Sequence, residues 1–199
     1  MADAFDSGSI ARIVIRAPNW LGDAVMALPA MAAVRRTFPR STLAVAAPSA
    51  VAPMFEEMTP AAQDELLTVE QRSETATVRA GRFDLAILLP NSFRSAWVVR
   101  RAGIPHRWGL AASARGWLLT RSVRPPERPR HQSARYLALM EALDIHGSDD
   151  HPRVSVTAAS AQRARDLLAK NGLARESRNG GRCVVRQLGS IISDTRGTV

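Results

Sequence analysis

The chain has 199 residues, of which 46% are hydrophobic, and it carries a net charge of +9. This length is enough for a sizeable hydrophobic core, and no apolar run reaches the roughly 20 residues that a membrane-spanning helix needs. The single cysteine, Cys183, excludes an internal disulfide and a cysteine-based zinc cluster, and it favours a cytoplasmic location.

The excess positive charge lies in one stretch, residues 94–135, which contains ten arginines and a single acidic residue, Glu127. The planar guanidinium group of arginine suits phosphate and carboxylate groups. Nucleic acid, an anionic membrane surface and a phosphorylated small molecule are therefore all candidate partners. A solvated basic surface without any partner is the alternative interpretation.

The first predicted elements are a strand, a short loop and a helix. An apolar run from residue 13 ends at Pro18, and Asp23 opens a segment with helical spacing, 24–38, in which Pro29 is expected to kink the helix or to shift its effective start. Gly22 would let backbone or a ligand approach closely. Asp23 has two possible roles that are mutually compatible, as a cap of the helix or as a general base.

The remaining elements alternate along the chain. Strands are predicted at 42–47, 66–69, 83–89 and 153–156, and a turn that leads into a short strand at 103–110. Helices are predicted at 49–58, 92–102, 131–143 and 158–171, with a long loop at 121–130. The clearest strand, 83–89, ends in the loop Pro90-Asn91-Ser92, much as the first strand ends in its own loop. This alternation predicts an α/β fold with a doubly wound parallel sheet.

Several common site motifs do not occur in the sequence. There is no G-x-G-x-x-G after the first strand and no G-x-x-x-x-G-K-[ST] loop, and the four histidines lack the spacing of a helical metal site. We therefore predict neither a cofactor nor a bound metal.

Three segments carry a resemblance to a known family. They read A-P-N-W-L-G-D-A-V-M (17–26), L-P-N-S-F-R-S-A (89–96) and A-G-I-P-H-R (102–107). In this order they resemble the ADP-heptose:lipopolysaccharide heptosyltransferases of glycosyltransferase family 9, over residues 12 to about 173. Within the family, the match is most similar to the group that adds the second heptose of the inner core.

The resemblance implies a GT-B architecture, in which two Rossmann-like domains face each other, with this chain forming the amino-terminal, acceptor-binding one. It implies inverting, metal-independent transfer of heptose from ADP-heptose to the lipopolysaccharide inner core, with Asp23 as the general base. The acceptor-binding residues that it implies are Asn19, Trp20, Gly22, Asn91, Ser92, Arg94 and Arg107.

The same resemblance sets the expected domain limits. Residues 1–9 are expected to be a flexible amino terminus, 10–174 the Rossmann-like domain, and 175–199 a linker with an aberrant or truncated start of the second domain. The chain alone is then expected to be inactive. We expect a cytoplasmic location with peripheral contact to the inner membrane, and no nucleic-acid partner. The alternative is a non-catalytic basic module that binds anionic lipid or nucleic acid.

Overall fold

The computed structural model describes residues 10–124, 131–147 and 151–171. The described residues fall into two units, one that ends at residue 157 and one that begins at residue 158. The predicted domain limits after residues 9 and 174 involve residues outside the described ranges and stay predictions.

The first unit is built on a six-stranded sheet in which every strand pairs in parallel with its neighbours. The strand order is β3-β2-β1-β4-β5-β6, that of a Rossmann-type doubly wound sheet. The strands are β1 (Arg12–Arg16), β2 (Thr42–Pro48), β3 (Glu65–Val69), β4 (Leu85–Leu88), β5 (His106–Leu110) and β6 (Arg121–Val123). The predicted fold class is confirmed.

Helices cover both faces of this sheet. They are α1 (Leu21–Thr37), α2 (Glu74–Ala80), α3 (Phe93–Arg101) and α4 (Gln132–Ala142), and α5 (Ala158–Lys170) belongs to the second unit. Ile13 and Ile15 of β1 point into a core shared with α1 and α4. Val14 points the other way, into a core shared with α2 and α3. Because both faces are buried, β1 reads as a continuous apolar run and not as an alternating one.

Some element predictions were wrong in detail. The 49–58 segment forms only a short 3-10 helix, Ala52–Glu56, with Pro53 near its start, and the predicted strand at 153–156 makes one isolated bridge between Ser155 and Met58. The first three residues of the predicted loop 121–130 form β6, because an exposed edge is available on β5. Residues 125–130 lie outside the described part of the chain.

The register of the central strands aligns their carboxyl ends. Arg16 at the end of β1 lies opposite Ala46 of β2 and Leu88 of β4. From this edge the chain leaves β1 for α1 on one face and leaves β4 for α3 on the other. Such a switch point opens a crevice between the two loops, where α/β proteins bind ligands.

Candidate active site

Two adjoining cavities open at this switch point. The first, which we call the Asp23 cavity, has a volume of about 190 Å³ and lies between the loops that follow β1 and β4. The second, the Glu74 cavity, has a volume of about 250 Å³ and extends towards the ends of β2 and β3. Asn19, Pro90 and Ser92 line both cavities, so the two are parts of one crevice.

Asp23 is the third residue of α1 and is half-buried in the wall of the Asp23 cavity. The prediction that it caps the helix is wrong, because α1 begins earlier and its N-cap residue is Trp20, which makes no side-chain cap bond. Within the described ranges, no hydrogen bond or ion pair engages the Asp23 carboxylate. The first turn of a helix is a favourable place for negative charge. The carboxylate is therefore available to a bound hydroxyl group.

Asn91 supplies a second polar group to the Asp23 cavity. Its Oδ1 atom is buried and has no hydrogen-bond donor among the residues that the structure describes. An unsatisfied buried acceptor beside a cavity is expected to receive a donor from a ligand or from water. Asn91 is therefore suited to orient a hydroxyl group near Asp23.

Tyr136 and Gln132 of α4 complete the cavity wall, and sequence reasoning missed both. Gln132 Nε2 donates a hydrogen bond to the Tyr136 hydroxyl oxygen at 2.9 Å. Burial raises the pKa of Tyr136; this hydrogen bond opposes the shift, and the negative charge of Asp23 adds to it. Tyr136 lies within the predicted helix 131–143, but no local pattern could show that α4 packs beside α1.

The Glu74 cavity contains a charged triad formed by Arg16, Glu74 and Arg94. Glu74 is only 4% exposed and accepts hydrogen bonds from Arg16 Nε at 2.6 Å and from Arg94 Nη2 at 3.3 Å. Arg16 Nη2 also donates to Asn19 Oδ1 at 2.9 Å, which links the triad to the loop after β1. The triad has a net charge of +1. Arg94, its exposed member, also donates to the Gln71 carbonyl.

Arg115 fixes the loop that carries Asn91 and Ser92. Its side chain is fully buried, and it donates to the carbonyl oxygens of Pro90 at 2.6 Å, Ser92 at 3.0 Å and Leu110 at 2.9 Å. Burial of the guanidinium lowers the pKa of Arg115 to about 10. The sequence shows Arg115 only as one of ten arginines in a basic stretch, whereas the structure makes it an internal support of the site.

The structure brings most of the predicted site residues together. Those that line the crevice are Asn19, Trp20, Asp23, Asn91, Ser92 and Arg94. Gly22 lies in the exposed first turn of α1, and a Cβ there would meet nothing within 4 Å, so the fold itself does not require glycine at this position.

Arg107 is not part of this crevice. It lies at the amino end of β5, while the crevice is at the carboxyl ends of the strands. Its guanidinium donates to the carbonyl oxygens of Leu118 at 2.8 Å and Pro105 at 3.0 Å. Desolvation by burial, together with the nearby charge of Arg100, lowers its pKa. Its contacts therefore give it a structural role.

Within residues 10–124, 131–147 and 151–171, no group of three or more His, Cys, Asp or Glu side chains is arranged to hold a metal ion. In the same ranges no helix combines the length and the apolar character needed to cross a bilayer.

The fold and the crevice define the class of domain, a Rossmann-type α/β domain whose ligand site is at the switch point. A model of glycosyltransferase family 9 (heptosyltransferase) matches residues 72–179, which is more than half of the chain. The chain belongs to this family.

Individual relatives agree with this assignment. The lipopolysaccharide heptosyltransferase 2 of Escherichia coli K12 is 33% identical over 116 residues, which cover 54% of this chain and 33% of that protein. The lipooligosaccharide heptosyltransferase 2 of Haemophilus ducreyi is 31% identical over 150 residues, which cover 71% of this chain and 43% of that protein.

A solved structure also matches this chain over about half of its own length. The E. coli ADP-heptose lipopolysaccharide heptosyltransferase II superposes with a TM-score of 0.61 at 26% identity, over 83% of this chain and 51% of that structure. The chain thus spans between a third and a half of the length of these relatives.

Proposed function

We propose that residues 10–171 contain the acceptor-binding half of a heptosyltransferase that transfers heptose from ADP-heptose to the lipopolysaccharide inner core. Family membership and the names of the relatives support the substrate class. The observation that carries the proposal is the Asp23 carboxylate, which lines a cavity at the switch point and has no partner among the described residues.

In the proposed reaction, Asp23 acts as the general base. An acceptor hydroxyl group placed between Asp23 and Asn91 gives its proton to the carboxylate, and its oxygen attacks the anomeric carbon of the heptose. The bond from that carbon to the diphosphate breaks, and ADP leaves with the electron pair. Attack from the side opposite the leaving group inverts the anomeric centre, and the proposed step involves no metal ion.

The Glu74 cavity is suited to an anionic part of the acceptor. Arg94 is exposed and, among the residues that the structure describes, it is held by Glu74 and a backbone carbonyl, so its guanidinium can also pair with a phosphate or carboxylate. Arg16 is more buried and holds Asn19 in place. We therefore assign acceptor contacts to Asn19, Trp20, Asn91, Ser92 and Arg94, and Arg107 is left out because of its position.

The donor is assigned to the part of the family fold that this chain does not match. The chain covers about half of the solved relative, and the resemblance places the nucleotide-sugar in a second Rossmann-like domain. The 199-residue chain is then expected to bind the acceptor weakly and not to catalyse transfer. Because the proposed acceptor is attached to a lipid, we expect the enzyme to act at the cytoplasmic face of the inner membrane.

A chimera tests this assignment. Residues 1–171 are joined to the carboxy-terminal half of the E. coli lipopolysaccharide heptosyltransferase 2, and heptosyl transfer from ADP-heptose to a purified inner-core acceptor is followed by mass spectrometry. We expect transfer by the chimera and none by the 199-residue chain or by the carboxy-terminal half alone. A folded chimera that binds ADP-heptose but transfers nothing would contradict the assignment, and so would transfer by the 199-residue chain.

A further inference from the structure

An unusual group of exposed side chains lies on and beside α3, outside the lining of both cavities. Phe93 and Trp97, one helical turn apart, are 42% and 41% exposed, and Trp117 beside them is 64% exposed. The Phe93 ring centroid lies 6.2 Å from that of Trp97, with the rings stacked, and 6.3 Å from that of Trp117. Three aromatic side chains therefore form one contiguous exposed cluster.

Two arginines cover this cluster. Arg100 Cζ lies 5.9 Å from the centroid of the Trp117 ring, and Arg101 Cζ lies 5.9 Å from the centroid of the Trp97 ring. We call these five residues, Phe93, Trp97, Arg100, Arg101 and Trp117, the aromatic–arginine surface. No aspartate or glutamate occurs in the sequence between Asp84 and Glu127, so the segments that carry the surface contribute only positive charge.

A third cation lies beside the same surface. Arg79 of α2 donates a hydrogen bond from Nη2 to the Arg101 carbonyl oxygen at 2.7 Å, which places its guanidinium at the end of α3. The nearest acidic residue of α2, Glu74, is buried and is already paired with Arg16 and Arg94. The positive charge of the aromatic–arginine surface is therefore not compensated by that carboxylate.

We infer that the aromatic–arginine surface docks the protein on an anionic lipid bilayer. Tryptophan side chains favour the boundary between lipid headgroups and acyl chains, and arginines close to an anionic leaflet are attracted to its phosphates. Because α3 begins at Ser92, which lines both cavities, a bilayer under this surface would lie next to the acceptor crevice.

A sugar chain is the other ligand that exposed aromatic rings suggest. Sugars stack on the open face of a ring, but here a guanidinium group lies over one face of both Trp97 and Trp117. A guanidinium placed above a tryptophan is well positioned to bind a lipid phosphate while the ring enters the headgroup region. The geometry therefore favours the bilayer.

Vesicle sedimentation tests the inference with the 199-residue chain. The vesicles contain phosphatidylglycerol and phosphatidylethanolamine, or phosphatidylcholine alone, without acceptor or donor. We expect binding to the anionic vesicles only, weakened by salt. Since each arginine near such a surface contributes about 1 kcal/mol, Arg100→Gln with Arg101→Gln should lower the partition coefficient roughly 30-fold.

The matched control removes the same charge from the other face of the sheet. Arg36→Gln with Arg40→Gln changes two exposed arginines at the carboxyl end of α1, and this variant should bind nearly as well as the unchanged chain. Absence of binding to anionic vesicles would overturn the inference. An equal loss in both double variants would overturn it as well, because net charge alone would then explain the binding.

Fluorescence identifies the surface that enters the bilayer. Brominated lipids should quench the tryptophan fluorescence of the unchanged chain. This quenching should be nearly abolished in the variant that combines Trp97→Phe with Trp117→Phe, in which Trp20 and Trp108 remain as the fluorescent residues. Undiminished quenching in that variant would contradict the assignment. Protection of Trp97 and Trp117 from iodide by a soluble inner-core oligosaccharide, without vesicles, would show a sugar site instead.

The inference rests on the proposed function for one premise, that the enzyme acts on a lipid-linked acceptor. The vesicle assays contain neither substrate, and the chimera assay with a detergent-solubilised acceptor contains no bilayer. Failure of vesicle binding therefore leaves the proposed reaction standing, and failure of transfer leaves the docking surface standing.

Discussion

The negative charge of Asp23 acts on the hydroxyl group of Tyr136, although the two residues are far apart in the sequence. The hydroxyl of Tyr136 accepts a hydrogen bond from Gln132, and its pKa is raised by burial and by the Asp23 charge. Because the pKa of the folded state lies above the usual 10.0, this group contributes stability that is complete below pH 10.0 and is lost as pH rises through the folded-state pKa.

The chain offers a direct spectroscopic test of this pair, since Tyr136 is its only tyrosine. Alkaline titration followed by tyrosinate absorption should show ionisation above pH 10.0, and Asp23→Asn should move it to lower pH. The change Asp64→Asn, which removes a carboxylate at the opposite edge of the sheet near Leu43, serves as the control. An unchanged titration in Asp23→Asn would show that the two groups do not interact.

Arginines of the basic stretch have different roles that their sequence context does not distinguish. Arg115 is fully buried and holds three carbonyl oxygens, whereas Arg100 and Arg101 are exposed over tryptophan rings. Ser113 and Ala114, with φ of 51° and 54°, are both in the left-handed region and direct the chain so that Arg115 points inwards. Neither of these left-handed positions is a glycine, so the sequence alone could not predict the turn or the buried arginine.

At the scale of elements, α1 begins without a side-chain cap although it is the longest described helix. Its N-cap residue, Trp20, is 76% exposed, and the helix starts at the wall of the Asp23 cavity. An exposed tryptophan at a position that favours serine, threonine, aspartate or asparagine indicates that stability is not what this residue contributes. This agrees with the proposed contact between Trp20 and the acceptor.

The change Trp20→Ser separates the effect of this residue on stability from its proposed effect on acceptor binding. A serine at the N-cap position can accept a hydrogen bond from the first turn, so we expect an increase in the free energy of unfolding of about 0.5–1 kcal/mol, measured by urea unfolding. Acceptor binding should weaken in the same variant. Trp117→Ser, which also replaces an exposed tryptophan but not at the start of α1, should bring no gain. A less stable Trp20→Ser variant would contradict this interpretation.

The sequence predicted elements best where burial on both faces produces long apolar runs. β1, β2 and β4 lie close to their predicted limits for this reason, and α3 does so because its apolar residues recur with helical spacing. α2 was missed because Glu74–Ala80 is short and contains two threonines and a valine, which give it little helical character. Because this helix was not predicted, the charged triad was not predicted either. Arg16 and Arg94 are joined by the carboxylate of Glu74, which belongs to α2.

At the scale of the whole molecule, the strand order explains why two distant segments form one crevice. The loops after β1 and β4 are about 70 residues apart in the chain, yet parallel pairing in register places them side by side. The family motifs at these loops predicted that both belong to the site, and the structure joins them. It also shows that Arg107, taken from the third motif, lies at the other edge of the sheet.

The proposed catalytic role of Asp23 depends on both halves of the family fold, so it is tested in the chimera. With heptosyl transfer measured under saturating acceptor and ADP-heptose, Asp23→Asn should lower kcat by roughly 10²–10⁴-fold, the usual contribution of a general base. KM for the acceptor and the urea unfolding midpoint should change little. Transfer by Asp23→Asn at the rate of the unchanged chimera would contradict the assignment of Asp23 as the general base.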